Sequence, residues 1–486
     1  MMDWLTERRV ASPKALALII GERRWTYAAL DRLTAGLAGY LQTQGVQFGD
    51  FVAVLLPNGL PYVCLIHALA RLGAVLIPLN TRLTPAEINW QVEQVGAKWL
   101  VTNQEQLAIG NWQLLVVDEE ILATAVPLTI DQRPLTLDRL QAVVFTSGTS
   151  GKPKGAMLTF GNHFYSAQAS AERLGVRPDD LWLSVLPLYH VGGLAVIFRS
   201  CLYGTAVSLH PRFDLAAINE DLDHKPITLI SLVPTMLHRL LQTRTTWPDT
   251  LRLALLGGAA ATPELLRQAL AAGLPVATTY GLTEASSQVA TMLPPDVARK
   301  PGSVGHPLPG TTVAIVDENG RSLPPNTYGE IIVTGPTVMA GYWLAERGAP
   351  GAEYPIHAHP TGDIGYLDED GDLWVVQRRS DLIVTGGENV YPAEVEAVLK
   401  GHTAVANACV VGVPDAEWGQ KVAALVQLRP GAALAEADLL AHCRAQLAGY
   451  KQPRLIRFAA DLPQTASGKI ARNTIIDILG EEARDR

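Results

Sequence analysis

Short apolar runs alternate with longer amphipathic stretches through most of this chain, and that alternation restricts the fold more than any other property. Residues 15–20, 51–56, 74–78, 114–117 and 142–145 are strand-length and almost wholly apolar, the pattern of strands buried on both faces. Between such runs, 27–42 and 62–72 place apolar residues at helical spacing. The alternation predicts an α/β fold in which helices cover parallel-rich sheets. Residues 311–342 differ. Turn clusters at Glu318-Asn319-Gly320 and Pro324-Pro325-Asn326 separate β-rich runs, which predicts a small antiparallel β module. A boundary is expected at Arg378, giving a large N-terminal domain (1–378) and a small C-terminal α+β domain (379–486). The second part reads β, helix, β, β, helix, β. The boundary is not Gly/Ser-rich, so a hinge with few free residues is expected rather than a loose tether.

Composition removes several classes of function. The net charge of −8 is spread without blocks of like charge, which argues against a nucleic-acid partner. Cys64, Cys201, Cys409 and Cys443 are far apart and form no CxxC pair, so neither a zinc cluster nor a disulfide framework is indicated. A reducing, cytoplasmic setting is expected. The first nine residues lack the apolar core of a signal peptide, and no apolar run approaches the roughly 18 residues of a membrane helix. His357 and His359 have no third ligand nearby in sequence and read as loop residues. His163 and His238 read as structural or exposed.

The run 142–145 feeds Thr146-Ser147-Gly148-Thr149-Ser150-Gly151-Lys152-Pro153-Lys154-Gly155. Glycines let backbone N–H groups converge on an anion, hydroxyls add donors and lysines add charge. The spacing is not that of a Walker A loop. A strand followed by this loop is a device for holding phosphate. Three further segments have a physical reading of their own. Leu255-Leu256-Gly257-Gly258-Ala259 closes a strand on two glycines, where backbone can approach a flat ring. Thr278-Thr279-Tyr280-Gly281-Leu282-Thr283-Glu284 follows an apolar strand expected over 274–277, and a glutamate there offers the hard oxygen that Mg²⁺ prefers. Asp363, flanked by Gly362 and Gly365, suits the hydroxyls of a ribose.

Taken together and in this order, these segments resemble the motifs of the adenylate-forming superfamily, which contains acyl-CoA synthetases, luciferases and peptide-synthetase adenylation domains. The resemblance runs from Thr146 to Lys469. It implies ATP, Mg²⁺ and coenzyme A as cofactors and cosubstrates, and a carboxylic acid as the second substrate. By resemblance, Thr146 through Lys152 together with Lys154 hold ATP phosphates. Thr279, Tyr280, Gly281, Gly258 and Ala259 line the nucleotide, and Gly257 lies against the acid. Thr283 bonds the α-phosphate, Glu284 is the metal ligand, and Asp363 and Arg378 contact ribose and phosphate. Gly386 and Gly387 match the loop that lines the pantetheine tunnel after the small domain rotates, and Lys451 matches a weaker CoA contact. Lys469, in Pro463-Gln464-Thr465-Ala466-Ser467-Gly468-Lys469, matches the lysine that bridges carboxylate and α-phosphate. Ser380 stands at the hinge where Asp or Lys is commoner, and Gln377 stands where glycine is usual.

The acid pocket implies the subgroup. Residues 161–167, 187–194, 198–204 and 283–288 resemble most those of the o-succinylbenzoate–CoA ligases of menaquinone synthesis. His190 matches the pocket-side residue near the acid, and Ser287 is a polar contact for it. Residues 191–203 are otherwise apolar around Arg199 and Ser200. A buried arginine there needs a partner: the ring carboxylate of o-succinylbenzoate would be one and a protein carboxylate another, while an Arg199 that points outward needs none. A ligase for other aryl or medium-chain acids, and an adenylating or binding protein without thioester turnover, are the alternatives. The oligomeric state is left open, a homo-oligomer included.

Overall fold

The computed structural model describes residues 2–103, 110, 112–127, 134–146, 153–344, 349–351, 358–377, 382–463 and 470–484. They divide into two compact units. One comprises Met1–Thr81, Val92–Phe145 and Gly155–Gln377; the other comprises Arg82–Gln91, Thr146–Lys154 and Arg378–Arg486.

The larger unit holds the expected parallel-rich sheets. In a nine-stranded sheet, Leu16–Ile20, Ala206–Leu209, Leu181–Ser184, Leu229–Leu232, Leu253–Leu256 and Val276–Leu282 pair in parallel in that order. Four of these strands (Leu181–Ser184, Ala206–Leu209, Leu229–Leu232 and Leu253–Leu256) have no residue outside the buried class, because helices cover both faces. A second sheet of eight strands carries Phe51–Leu55 between two parallel neighbours, Val75–Pro78 and Trp99–Thr102.

The antiparallel module also forms. It extends further than the sequence suggested, because Ala358–Leu367 and Leu373–Gln377 join Thr312–Val316 and Gly329–Thr334 in one four-stranded sheet. The turn between the added strands is Asp368-Glu369-Asp370-Gly371-Asp372. Lys300 Nζ lies 2.7 Å from Asp368, 2.8 Å from Asp370 and 2.5 Å from Asp372. Its hydrogen bonds to those carboxylates push the Lys300 pKa well up. The Lys300 and Trp374 bonds together hold the Asp368 carboxyl down at about 2, against burial.

Two helices carry residues that the resemblance assigns to the acid pocket. Phe160–Leu174 opens with a reciprocal capping box: Asn162 N–H donates to Thr159 Oγ1 at 3.1 Å, and Thr159 N–H donates to Asn162 Oδ1 at 2.8 Å. Val191–Tyr203 starts after His190 and buries most of its length.

In the smaller unit, Glu388–Val390, Ile383–Thr385, Gly419–Leu428 and Val405–Asp415 pair antiparallel in that order, and Leu455–Ala459 adds in parallel to Gly419–Leu428. Helices Pro392–Gly401, Glu436–Arg444 and Arg472–Arg484 complete it. This is the expected β, helix, β, β, helix, β run, with the first β doubled and a terminal helix added.

Candidate active site

The strand does not stop before the motif 278–284. Val276–Leu282 takes in the motif's first five residues, and a 3-10 turn (Thr283–Ala285) holding the last two reverses the chain into Ser287–Met292, which pairs antiparallel with the strand. The expectation of a strand ending near 277 is corrected on this point: hydrogen bonding to the returning strand extends it. The hairpin is tight. A Cβ on Gly281 would lie 1.9 Å from the Ser287 carbonyl oxygen, so only glycine fits. Ser286 and Ser287 both have positive φ, 52° and 100°, conformations that cost a residue with a Cβ roughly 1–3 kcal/mol each. The turn presenting Thr283 and Glu284 is therefore held against local strain by what surrounds it.

The surroundings are visible. Tyr342 Oη donates to Glu284 Oε1 at 2.6 Å, and Met339 N–H donates to the Glu284 carbonyl at 2.8 Å. Gln288 donates to Thr291 Oγ1 at 2.9 Å and accepts from Ser170 Oγ at 2.9 Å, tying the hairpin to the capped helix. Thr279 Oγ1 donates to the Ala290 carbonyl at 2.9 Å. A Cβ on Gly257 would meet Thr279 Cγ2 at 2.7 Å, so the Gly257-Gly258-Ala259 turn lies beside this strand. Tyr280 Oη donates to Asp363 Oδ2 at 2.6 Å, and Asp363 N–H donates to Thr361 Oγ1 at 3.1 Å. Expected base-side and ribose-side residues are thus adjacent, as base and sugar are in a nucleoside. Tyr280 is buried, packed with Ala285, Val289 and Val313.

Glu284 fits a Mg²⁺ ion by its donor chemistry. It is a carboxylate aimed by a hydroxyl, with the Thr283 hydroxyl next in the chain, and Mg²⁺ in phosphate sites takes one or two carboxylates and completes its shell with phosphate and water. Tyr342 acts through Glu284. A Tyr342→Phe variant is expected to need roughly 10-fold more Mg²⁺ for half-maximal pyrophosphate release, the range for loss of a partner that orients a metal ligand. An unchanged Mg²⁺ titration would show that Tyr342 does not aim the carboxylate.

Arg199 is 2% exposed. Its Nη2 donates to Ser166 Oγ at 3.2 Å, and Ser166 Oγ donates to the Ser286 carbonyl at 2.7 Å. Its Nε has no partner, and no carboxylate among the described residues pairs with it. Burial pulls its pKa below the usual arginine value. His190 caps the same helix, its ring 4.7 Å from that of Tyr189.

The smaller unit holds other expected residues. Thr146 Oγ1 donates to the Lys154 carbonyl at 3.4 Å, joining the two ends of the segment expected to hold phosphate. Gly386 and Gly387 have φ of +57° and +83° in the turn between two short strands. Trp418 is 42% exposed. Its carbonyl accepts from Gly386 N–H at 2.9 Å, and a Cβ on Gly386 would meet its ring at 2.7 Å. The indole therefore borders the loop expected to meet pantetheine. Lys451, expected to be presented to CoA, is instead buried. Its ammonium lies 2.6 Å from Glu87 Oε1 and 2.8 Å from Glu394 Oε1, so two carboxylates already satisfy its charge. Ser147, Gly148, Thr149, Ser150, Gly151, Lys152, Arg378, Ser380 and Lys469 lie outside the described residues. Sequence reading did not single out Tyr342, Ser166, Ser170, Gln288 or Trp418. Only Trp418, in Glu417-Trp418-Gly419, had a local signal, an aromatic at a hairpin corner.

A hairpin bearing Thr283 and Glu284, with Asp363 hydrogen-bonded to Tyr280 beside it, is the arrangement expected of a nucleotide-using enzyme that activates acids. The chain belongs to the AMP-binding enzyme family, whose model matches residues 5–343, and the model of the AMP-binding enzyme C-terminal domain matches residues 394–469. It is 40% identical over 485 residues to a 2-succinylbenzoate–CoA ligase of Bacillus cereus, covering 99% of both chains. It is 41% identical over 477 residues to the ligase of the same name from Bacillus licheniformis, covering 97% of this chain and 99% of that one. Among solved structures it is similar to a double mutant of o-succinylbenzoate CoA synthetase from Bacillus subtilis bound with a product analogue. The TM-score is 0.92 at 38% identity, over 98% of each chain.

Proposed function

We propose that the chain is an o-succinylbenzoate–CoA ligase of menaquinone synthesis, acting in the cytoplasm. The observation that carries the choice of acid is Arg199, a guanidinium buried without a carboxylate among the described residues. An unpaired buried charge is costly, and a ligand carboxylate offsets that cost. o-Succinylbenzoate has two carboxylates, one to be activated and one on the ring to meet Arg199. Relatives about 40% identical over their full length bear this activity in their names. No helix among the described residues is long and apolar enough to cross a membrane. The expected partners are small molecules, with no nucleic acid; a homo-oligomer remains compatible.

In the first half-reaction, the succinyl carboxylate oxygen attacks the α-phosphorus of ATP. The bond from that phosphorus to the bridging oxygen breaks, and pyrophosphate leaves. By the family resemblance, Thr283 would donate to the α-phosphate, and Lys469 would offset the repulsion between the two anions. Glu284 would hold Mg²⁺, which would supply charge neutralisation for the phosphates. In the second half-reaction, the CoA thiol loses its proton and its sulfur attacks the acyl carbon; the bond to AMP breaks. AMP is the leaving group, so no enzyme nucleophile is required.

The test compares o-succinylbenzoate with 4-oxo-4-phenylbutanoate, which lacks the ring carboxylate, in a pyrophosphate-release assay. Arg199→Ala is expected to lower kcat/KM for o-succinylbenzoate roughly 10- to 150-fold, the range for one charge-assisted contact. The phenyl acid should be little affected, and KM for ATP should hardly move. Equal losses for both acids would make Arg199 structural. Preference of the wild-type enzyme for medium-chain acids would favour the alternative ligase.

A further inference from the structure

Beside the buried Arg199 lies a second buried polar side chain that the reaction as described does not use. His163 lies one turn before Ser166 on the helix Phe160–Leu174, so the two share a face. It is 2% exposed, and its Nε2 is buried without a partner among the described residues. The nearby Ser286 Oγ and the Arg199 Nε are partnerless too. Arg199 and Ser286 are the two ends of the Arg199–Ser166–Ser286 chain of hydrogen bonds, and His163 is close enough to feel the Arg199 charge. Elsewhere in the hairpin, Thr279, Gln288, Thr291 and Ser170 satisfy one another. A group of buried donors left over at one spot, beside a buried guanidinium, is the chemistry of a site for an anion.

We propose that His163 is a second recognition residue for the acid: its Nε2–H donates to the carboxylate that Arg199 draws into the pocket. This rests on the ligase reading above. The ring is held in place by Phe198, with centroids 4.7 Å apart. Burial, reinforced by the Arg199 charge, pushes the His163 pKa down to about 3, so the imidazole is neutral at working pH. Neutrality matters here. One guanidinium and one carboxylate cancel, whereas an imidazolium would leave a net positive charge buried in the pocket. A neutral imidazole adds a directed hydrogen bond without disturbing that balance, and so selects a second carboxylate by geometry as well as by charge.

The test uses His163→Phe, which keeps a ring against Phe198 but removes the donor, and His163→Gln, which retains an N–H. His163→Phe is expected to raise KM for o-succinylbenzoate roughly 10-fold or more, as expected for a lost hydrogen bond to a charged group. KM for 4-oxo-4-phenylbutanoate and for ATP should change less than about 2-fold, and His163→Gln should recover most of the loss. Equal effects on both acids, or none, would overturn the proposal. If His163→Phe does not fold, the wild-type enzyme labelled with ¹⁵N-histidine decides. A His163 Nε2 signal that moves with o-succinylbenzoate but not with the phenyl acid supports the contact, and a signal that stays put removes it. Arg199→Ala, assayed in parallel, separates the failures. If Arg199 discriminates the acids and His163 does not, only this inference falls; if neither discriminates, the choice of o-succinylbenzoate falls with it.

Discussion

A Lys469→Ala variant is expected to form acyl-adenylate about 10²–10³ times more slowly than the wild-type enzyme, the range for loss of one preorganised electrostatic contact. The same variant should convert supplied o-succinylbenzoyl-AMP and CoA to thioester at close to the normal rate. The first half-reaction drives a carboxylate against a triphosphate, and an ammonium between them offsets their repulsion only while both are present. In the second, the carboxylate has become a neutral acyl group, and that repulsion is gone. The residues on either side of 464–469 are anchored by a hydrogen bond and by apolar packing. Ala471 N–H donates to the Pro463 carbonyl at 2.9 Å, and Leu462 and Ile470 pack in a cluster with Ile475 and Leu479. Separate assays, pyrophosphate release for one step and thioester formation for the other, make the comparison. Equal losses in both would show that Lys469 is not confined to adenylation.

Lys451→Ala is expected to cost the smaller unit about 3–5 kcal/mol at pH 7, the usual result of removing one member of a buried ionic group. The ammonium serves two carboxylates, Glu87 and Glu394, and the Glu394 Oε2 is already buried without a partner. Burial raises the Glu394 pKa above its ordinary value, and Lys451 opposes that rise. Without the lysine the rise is larger, so the ionised carboxylate is more costly in the folded protein. A carboxyl with a raised folded pKa contributes stability below its unfolded value and loses it as pH increases through the folded one. The variant's deficit should therefore be greatest near pH 7 and should shrink toward pH 5. In the wild-type protein both carboxylates raise the Lys451 pKa, so the lysine's contribution persists up to its unfolded value, about 10.4, and fades above it. Denaturant unfolding of both proteins at pH 5, 7 and 8 measures this. A variant of normal stability with only a raised KM for CoA would restore the direct CoA contact that the motif suggests.

The strands were readable from sequence because the central ones are buried on both faces and so are apolar end to end, as in Leu229–Leu232 and Leu253–Leu256. The strand Val276–Leu282 was only half readable. Its second part is Thr-Tyr-Gly-Leu, which carries no strand periodicity and takes its conformation from Ser287–Met292. The motif residues were visible because their chemistry is concentrated in short segments. Their supports were not: Tyr342 lies 58 positions from Glu284, and Ser166 lies 120 positions from Ser286. A lone serine or tyrosine in sequence does not show what it will bond across such a separation. The burial of Lys451 was hidden for the same reason, since Glu87 lies 364 positions away. The positive φ angles of Ser286 and Ser287 are also illegible, because serine does not announce a left-handed backbone as glycine does.

The acidic turn beside the strand of Asp363 has a further consequence. Three aspartates at alternate positions with an intervening glycine make the kind of corner that elsewhere gathers a calcium ion. Here the ion's place among the carboxylates is taken by the amine of Lys300. A dissolved cation exchanges with the medium, and its occupancy follows supply. An amine carried by the polypeptide is present once per molecule, whatever the surroundings contain. The corner is thus closed by a counter-ion that dilution and chelators cannot remove, and only alkali strong enough to deprotonate it would let it open.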